Sequence, residues 1–456
     1  MRHSKDILNA LVISFVLLRL ANFAHETPLF QTLAAGILVV VLLFAVPQLH
    51  ISTKLVIAMM LVVSVALLVY AGADAADWRR AILQNGNLVM LLICVPMIAM
   101  PFYYRDYQSE LKALAQAKLR SLTAFLALVS GFTHFLAVSI SLGAILTSYT
   151  LMRPIGASYN ADHNLLKTVS RSYFSSGFWS PAWGTVIIYT IHPDVEWIRV
   201  APVGIAFAAL FNAINLLSIY IEGKRFPARF PTMTPQPDTE INRPLLYTML
   251  ALLAGMIGSI IAINLITGWE LMIIVTIVAI LFPLVVALLQ RLGGVYRQKM
   301  RHYYDVSLVK GRETVALFGM AGFLAVALDL SGAGAAIIGL LPDWLHHNSP
   351  AMLAAIMLVI ILPGGIGIHP AATGTAIAIA VQPAALGLTS YTFALGLLTG
   401  WVIGLMVAPF GAATMMLSSE NGKSIFANST ALNWKFSLVC IAVFSLLISV
   451  VGPMMG

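Results

Sequence analysis

Two histidines in apolar surroundings are the residues of this sequence with the most evident chemistry. His134 lies in VSGFTHFLAVSISLGAI (129–145), and His369 lies in PGGIGIHPAATGTAI (363–377). A histidine in a membrane segment is rare and tends to face a cavity or a polar partner. It can bind an anion when protonated, or relay a proton near neutral pH. We therefore predict that both bind a small ligand or an ion; the structural alternative is a histidine that caps a backbone turn.

Hydroxyl-bearing residues follow both histidines, and a second pair of similar motifs comes later in each half of the chain. Ser180-Pro181-Ala182-Trp183-Gly184 matches Ala408-Pro409-Phe410-Gly411. Alternatively, Ser and Thr in membrane helices bond their own preceding carbonyl or a neighbouring helix. As a set, we predict that the following residues bind the ligand: Thr133, His134, Ser139, Ser141, Ser180, Gly367, His369, Thr373, Thr375 and Thr414.

Asp329, in GFLAVALDLSGAGAAI, is the only acid that falls well inside a predicted apolar span. An unpaired charge at that depth costs about 2.5–3.5 kcal/mol on insertion scales. We predict that Asp329 couples a proton or a cation, together with His134 and His369. The structural alternative is a pair with a buried Asn or His.

The composition identifies the class of protein whose elements must position these residues. The chain has 456 residues, of which 60% are hydrophobic and only 10% charged, and its mean hydropathy is +0.91. These values are typical of a polytopic membrane protein. The pI near 9.5 does not indicate nucleic-acid binding, because the charges fall between the apolar spans. Cys94 and Cys440 lie within spans, so we predict packing roles for them and no metal site.

We predict an all-α fold with about 11 transmembrane helices and two re-entrant hairpins, from apolar stretches long enough to cross ~30 Å of hydrocarbon. The hairpins are 122–150 and 351–382, where Gly and Pro interrupt stretches too short to span twice. Amphipathic connectors are predicted at 106–120 and 158–171. The predicted spans are 7–24, 28–48, 52–72, 81–103, 172–192, 198–220, 244–266, 270–291, 315–340, 391–418 and 434–454.

The distribution of Lys and Arg supports this topology. With the N-terminus in the cytoplasm and both hairpins re-entrant, most of the 26 basic residues fall on the cytoplasmic side, and the C-terminus lies outside. If 122–150 were a simple span, the basic loops 221–243 and 291–314 would face outward. The charge pattern therefore favours a hairpin that enters and leaves on the cytoplasmic side.

The two halves of the chain form inverted repeats. Each runs span, span, hairpin, connector, broken span, span, and the two enter the membrane from opposite sides. We divide the chain into N-terminal helices (1–50), a first repeat (51–220), a linker and connecting helix (221–269) and a second repeat (270–456). Inverted repeats with broken helices place a binding site near the midplane between them.

This arrangement resembles the ion transporter superfamily, which includes divalent anion:sodium symporters and arsenite-permease-type transporters. The resemblance is architectural and covers about residues 50–456. Gly131-Phe132-Thr133-His134 and Gly367-Ile368-His369-Pro370 stand where those symporters carry Ser-Asn-Thr at the hairpin tips. The resemblance implies a mobile domain of hairpins and broken spans, an elevator-like motion and a homodimer.

The sequence predicts a secondary transporter of a small anion, an organic carboxylate above all, coupled to H⁺ or Na⁺ in a bacterial-type cytoplasmic membrane. A related alternative is a cation/proton antiporter that uses Asp329. A membrane enzyme acting on lipid-linked substrates is a further alternative, although acidic or basic clusters and a sizeable outer loop are absent from the sequence. No Walker loop is present, so we expect no ATP-driven pump. We also expect no organic cofactor, no nucleic-acid partner and no enzymatic activity.

Overall fold

The computed structural model shows an all-α, multi-pass membrane protein. It describes residues 2–49, 51–107, 109–110, 113, 121–140, 143–157, 161–181, 183, 194–226, 242–333, 336, 339–365 and 369–455. Eight helices in this part of the chain are long and apolar enough to cross a membrane, and shorter apolar helices lie between them.

The first half of the chain contains nine helices of eight or more residues whose bounds are described. They are α1 (Arg2–Ala24), α2 (Pro28–Ala45), α3 (Ile51–Tyr70), α4 (Ala75–Leu83), α5 (Gly86–Ile98), α6 (Leu122–Ile140), α7 (Gly143–Ala157), α8 (Asp162–Ser175) and α9 (Trp197–Arg225). A 3₁₀ turn, Ser176–Phe178, extends α8.

The second half, within the same described ranges, begins with the connecting helix α10 (Arg243–Thr267). It continues with α11 (Leu271–Leu289), α12 (Gly293–His302), α13 (Arg312–Leu330), α14 (Ser349–Gly364), α15 (Pro370–Ala380), α16 (Ser390–Val407), α17 (Ala412–Asn421) and α18 (Thr430–Val451).

Helix starts follow local sequence signals. The hydroxyl of Thr27 accepts from the N–H of Phe30 ahead of Pro28, and the side chain of Asn348 accepts from the N–H of Ala351. A polar cap followed by proline is a favoured helix start, because the cap satisfies a free N–H and proline has none to lose. These signals explain why α2 and α14 begin where the sequence predicts apolar stretches to begin.

Burial separates central helices from peripheral ones. In the most apolar window of the segment Ser390–Asn421, 89% of the residues are buried, against 22% for Arg243–Thr267. The segment that contains α16 is therefore surrounded by protein, while α10 exposes most of its surface. Because an apolar exposed surface suits lipid, the difference places the functional interior around α16.

The first predicted hairpin is correct as a pair of packed helices but wrong in the position of its turn. Gly131 to His134 lie inside the continuous helix α6, which ends at Ile140, and α7 begins at Gly143. A single glycine costs only about 1 kcal/mol in a helix, so it does not force a break. In the second hairpin, the helix breaks where predicted, between Gly364 at the end of α14 and Pro370 at the start of α15. The re-entrant character of both pairs stays a prediction.

Two further boundaries differ from the sequence prediction. Residues 162–171 of the predicted connector and the first four residues of the span predicted at 172–192 form one helix, α8, whose second half is buried. Residues 184–192 of that span lie outside the described residues. Lys167 and Arg171 contact other helices, so the polar face of α8 marks an internal contact. The linker 227–241 lies outside the described residues.

Candidate functional site

Three places where helices end inside the described part of the protein matter for the site, and we call them interruptions. Regular helix stops after Phe178, between Gly364 and Pro370, and between Val407 and Ala412. Proline follows or lies within each interruption, which accounts for the local loss of helical hydrogen bonds. Irregular backbone at membrane depth persists only where it is buried in protein or lines a cavity.

The interruptions meet along α16. A Cβ placed on Gly364 would lie 3.2 Å from the ring of Pro370 and 3.5 Å from the Cβ of Ala408. A Cβ on Gly404 would lie 2.9 Å from Pro370. The second hairpin therefore packs directly on the end of α16, and glycine at these positions permits the close approach.

The first interruption packs on the same helix. A Cβ on Gly177 would lie 3.0 Å from the indole of Trp183 and 3.1 Å from the side chain of Val402. Next to Val402, Trp401 stacks on Phe318 with ring centroids 6.1 Å apart. The fold thus brings segments of both halves of the chain to one helix, and the inverted repeat itself stays a prediction.

His134 is the centre of a hydrogen-bonded cluster between α6, α8 and α9. Its Nδ1 lies 2.8 Å from Ser175 Oγ, and Trp179 Nε1 donates to its Nε2 at 3.1 Å. Asn212 Nδ2 donates to Ser175 Oγ at 2.8 Å. The Trp179 ring also stacks against the histidine, with centroids 6.1 Å apart. His134 thus holds together the helix that carries it, the first interruption and α9.

The bonding pattern determines where the histidine carries its proton. Ser175 Oγ donates to the Ser172 carbonyl at 2.8 Å, so it accepts from both Asn212 and His134. The ring therefore carries its proton on Nδ1, and its Nε2 accepts from Trp179. A second ring proton would face the indole N–H, so protonation must displace Trp179. The bond between Trp179 and His134 therefore requires an unprotonated Nε2.

His369 lies in a different environment. It directly precedes Pro370 in the second interruption, and its ring packs edge-on against Phe318 with centroids 6.0 Å apart. His134 lies within a helix, so the two histidines do not occupy equivalent positions, contrary to the sequence interpretation. The prediction that they line one cavity stays a prediction.

The other predicted ligand-binding residues fall into four groups. Thr133 and Thr375 are fully buried, and their Oγ1 atoms have no hydrogen-bond partner among the described residues. Thr414 Oγ1 donates to the Ala408 carbonyl at 3.2 Å and so bridges the interruption after α16. Ser180 is buried and Thr373 half-buried. The side chain of Ser139, and all of Ser141 and Gly367, lie outside the described residues.

The unpartnered threonines are the more informative of these groups. A buried hydroxyl in a membrane helix ordinarily bonds the carbonyl one turn earlier. Thr133 on α6 and Thr375 on α15 do not, so each has a hydroxyl available to a ligand. Their burial in corresponding hairpins favours both as ligand-binding residues.

Asp329 is not the isolated interior charge that its sequence suggests. It lies in the last turn of α13, and its carboxylate lies 3.2 Å from Arg80 Nη2 of α4. The side chains of Asp329 and Arg80 are 41% and 51% exposed. The premise of an unpaired buried carboxylate was therefore wrong, because its partner lies 249 residues away in sequence.

We expect Asp329→Asn to keep its uptake and ion dependence within about twofold of the unsubstituted protein, because exposed ion pairs contribute only ~0–1 kcal/mol. The measurement is uptake into proteoliposomes with and without a pH or sodium gradient. Arg80→Gln serves as the matched control, since it breaks the same pair from the other side. Loss of ion dependence in Asp329→Asn alone would instead establish Asp329 as the coupling site.

Two contributors to the cluster were not singled out from the sequence: Ser130, which bonds Asn212 at 3.0 Å, and Ser172, which bonds Ser130 at 2.8 Å. A signal was present, since Ser172 and Ser175 are three residues apart on α8, and Asn212 and Asn215 are three apart on α9. Polar residues at that spacing share one helix face. Only the packing of α8 on α9 shows that these two faces meet.

An open cavity of about 420 Å³ lies between Asp194, just before α9, and the segment that connects α15 to α16. By the predicted topology this is the outer side. Its volume suits a small organic molecule. It is lined by Asp194, Gln382, Pro383, Ala384, Leu388, Thr389, Ser390 and Tyr391. Among the described residues, no group of three or more His, Cys, Asp or Glu could hold a metal ion.

Comparison with known proteins shows a shared fold. No protein-family model matches the chain, and no curated protein matches it. The crystal structure of the YdaH transporter of Alcanivorax borkumensis, described as having an unusual topology, is similar, with a TM-score of 0.55 and 16% identity. The similarity covers 88% of this chain and 98% of that one. The chain therefore shares its overall fold with a solved transporter structure.

Proposed function

We propose that this chain, with a fold like that of a known transporter, is a secondary active transporter of a small anion, most plausibly an organic carboxylate. The observation that carries the proposal is the meeting of three helix interruptions along the buried helix α16. Broken helices place unpaired backbone groups at the midplane, where transporters bind their substrates. An elevator-like motion of the hairpins and broken helices is part of the proposal.

The polar groups around the interruptions favour an anion. The His134 cluster contains hydroxyls, amides, an imidazole and an indole N–H, and no carboxylate of the described residues is bonded to it. Thr133 and Thr375 add hydroxyls that are unpartnered among the described residues. Helix α17 begins at Ala412, and free N–H groups at a helix start attract negative charge. The unpartnered hydroxyls and the free N–H groups of α17 can donate hydrogen bonds to an oxyanion.

Coupling to H⁺ or to Na⁺ is the second part of the proposal. His134 supports H⁺, because binding a proton there displaces Trp179 and so changes the first interruption. The carbonyl ends of α14 and α16 at the interruptions support Na⁺, which oxygen ligands bind. The paired and exposed Asp329 does not favour the cation/proton antiporter alternative. We place the protein as a homodimer in a cytoplasmic membrane, N-terminus inside and C-terminus outside.

The test is uptake into proteoliposomes that contain the purified full chain. A panel of labelled mono- and dicarboxylates and inorganic oxyanions is measured with a proton gradient, a sodium gradient or neither, and empty liposomes are the control. We expect at least one carboxylate to accumulate only when one of the gradients is imposed. A purified, folded protein that accumulates none of the panel under any gradient contradicts the proposal.

A further inference from the structure

A continuous row of polar side chains joins α8 to α9. From the predicted cytoplasmic end inward, Lys167 pairs with Glu222 at 3.1 Å, Arg171 bonds Asn215 at 3.0 Å, and Ser175 bonds Asn212 at 2.8 Å. The three α8 residues are four apart, so they form one stripe along the helix. We call these contacts the α8–α9 seam. It leads from the helix ends to the His134 cluster.

Arg171 is the buried cation of this seam. Its residue is 4% exposed. Its Nε donates to Asn433 Oδ1 at 3.1 Å and its Nη2 to the Leu432 carbonyl at 3.3 Å, both at the start of α18. The ring of Phe436 lies 4.2 Å from the guanidinium carbon. Every one of these partners is neutral.

The seam therefore carries an unbalanced positive charge. Lys167 and Arg171 are cationic, and Glu222 is the acid of the seam. Glu222 bonds Lys167, two turns along α9 from the asparagine that accepts from Arg171. A buried charge without a counter-charge is costly in a membrane protein, and such residues are retained where they act on an ion or a substrate.

Three buried polar atoms on the helices that meet at Arg171 have no hydrogen-bond partner among the described residues. Thr168 Oγ1 lies one turn before Arg171 on α8, and Asn215 Nδ2 belongs to the amide whose oxygen accepts from Arg171. Ser437 Oγ lies one turn beyond Asn433 on α18. Unpartnered buried polar groups are uncommon, and three of them on helices that contact one guanidinium point to an absent ligand.

We propose that Arg171, with Thr168, Asn215 and Ser437, forms a binding site for a small anion with a single negative charge. The guanidinium supplies the counter-charge, and the hydroxyls and the amide N–H supply hydrogen bonds to the anion. The anion is either the carboxylate of the transported substrate or an inorganic ion such as chloride. The first assignment rests on the proposed transport function, whereas the site itself does not.

The test measures thermal unfolding of the purified full chain by tryptophan fluorescence. The probes are sodium chloride and sodium acetate, each titrated against the sodium salt of a bulky sulfonate at equal ionic strength. A ligand of the folded state raises the apparent unfolding temperature with concentration. We expect a saturable rise for the unsubstituted protein. A rise with acetate alone assigns the site to a substrate carboxylate, and a rise with both probes assigns a general anion site.

The variants separate the site from general effects of charge. Arg171→Gln should weaken the apparent affinity at least ~10-fold, and Thr168→Val by ~3–10-fold, from loss of a charged donor and of one hydrogen bond. Arg153→Gln removes an exposed arginine on α7, and Thr399→Val removes a buried unpartnered hydroxyl on α16. Both controls should keep the full rise. If Arg171→Gln does not fold, the same titrations are made on Thr168→Val and Ser437→Ala, in which the apparent affinity for the anion should fall.

Two results would overturn the proposal: the absence of any rise with either probe in the unsubstituted protein, or an equal rise in the site variants that fold. Transport is measured separately in proteoliposomes. Carboxylate uptake without an anion-dependent rise rejects the site and leaves the proposed function in place. A rise that depends on Arg171 without uptake of any probe supports the site and counts against transport.

Discussion

His134→Ala is expected to reduce carboxylate uptake at least ~30-fold and to destabilise the folded protein. The substitution leaves the indole N–H of Trp179 without its acceptor and removes one partner of Ser175. Each buried group left unpaired costs about 1–3 kcal/mol, and a fall in uptake of ~30-fold corresponds to about 2 kcal/mol of such disruption at the first interruption. The measurements are initial uptake rates in proteoliposomes and the apparent unfolding temperature.

Two conservative substitutions distinguish ligand binding from support of the fold. His134→Gln keeps an acceptor for Trp179, and His134→Asn keeps a donor for Ser175, yet neither side chain can be protonated near neutral pH. If His134 carries the coupling proton, both should regain stability while losing the dependence of uptake on the pH gradient. His347→Ala, which removes an exposed histidine, is the control. Uptake and stability that match the unsubstituted protein in His134→Ala would reject the assigned role.

Gly204→Ala is expected to have the largest effect on stability, about 3 kcal/mol or more, because overpacking against backbone leaves no flexible group to move aside. A Cβ at this position of α9 would meet the carbonyl oxygen of Phe178 at 2.3 Å and the Cβ of Trp179 at 3.0 Å. Only glycine lets α9 approach the first interruption this closely. The measurement is the unfolding temperature together with the folded fraction on size exclusion.

The matched control is Gly258→Ala, on the peripheral helix α10. A Cβ there would meet no atom within 4 Å, so we expect no loss and a gain of up to ~1 kcal/mol from helix propensity. Gly204 packs directly against the backbone of Phe178, next to Trp179. Its substitution should therefore also abolish uptake by any protein that still folds. If the Gly204→Ala protein is as stable and active as the Gly258→Ala protein, the close packing of α9 on the first interruption is not required.

The class of the protein and its helix positions were readable from composition and local chemistry. Apolar stretches near 20 residues predicted the spans, and the Pro and Gly residues near 363–370 and 409–411 predicted two interruptions that the structure contains. The turn of the first hairpin was misplaced, since one glycine within Gly131–His134 is tolerated inside a helix. A proline predicts a helix break reliably, because it removes a backbone hydrogen bond. A lone glycine predicts one less well, because it only adds backbone flexibility.

The surroundings of the charged residues were not readable in this way. Asp329 was predicted as isolated, and the partners of Arg171 were not predicted. Each has partners on helices that are distant in sequence, Arg80 on α4 for the first and Asn433 on α18 for the second. Hydropathy gives the cost of burying a charge. Whether that cost is offset depends on which partner groups the fold brings beside the charge.

The amino-acid sequence alone was enough to predict a multi-pass all-α membrane protein and to select His134 as a candidate residue, because polar groups are costly in lipid. It also predicted the helix interruptions in the second half, because these follow from the local backbone chemistry of proline and glycine. Tertiary structure alone decided that His134 bonds Ser175 and Trp179, that Asp329 is paired and that Arg171 is buried among neutral groups. Hydrogen bonds and charge compensation act over a few ångströms in space. Residues 40 to 260 positions apart come within that range only after the helices have packed.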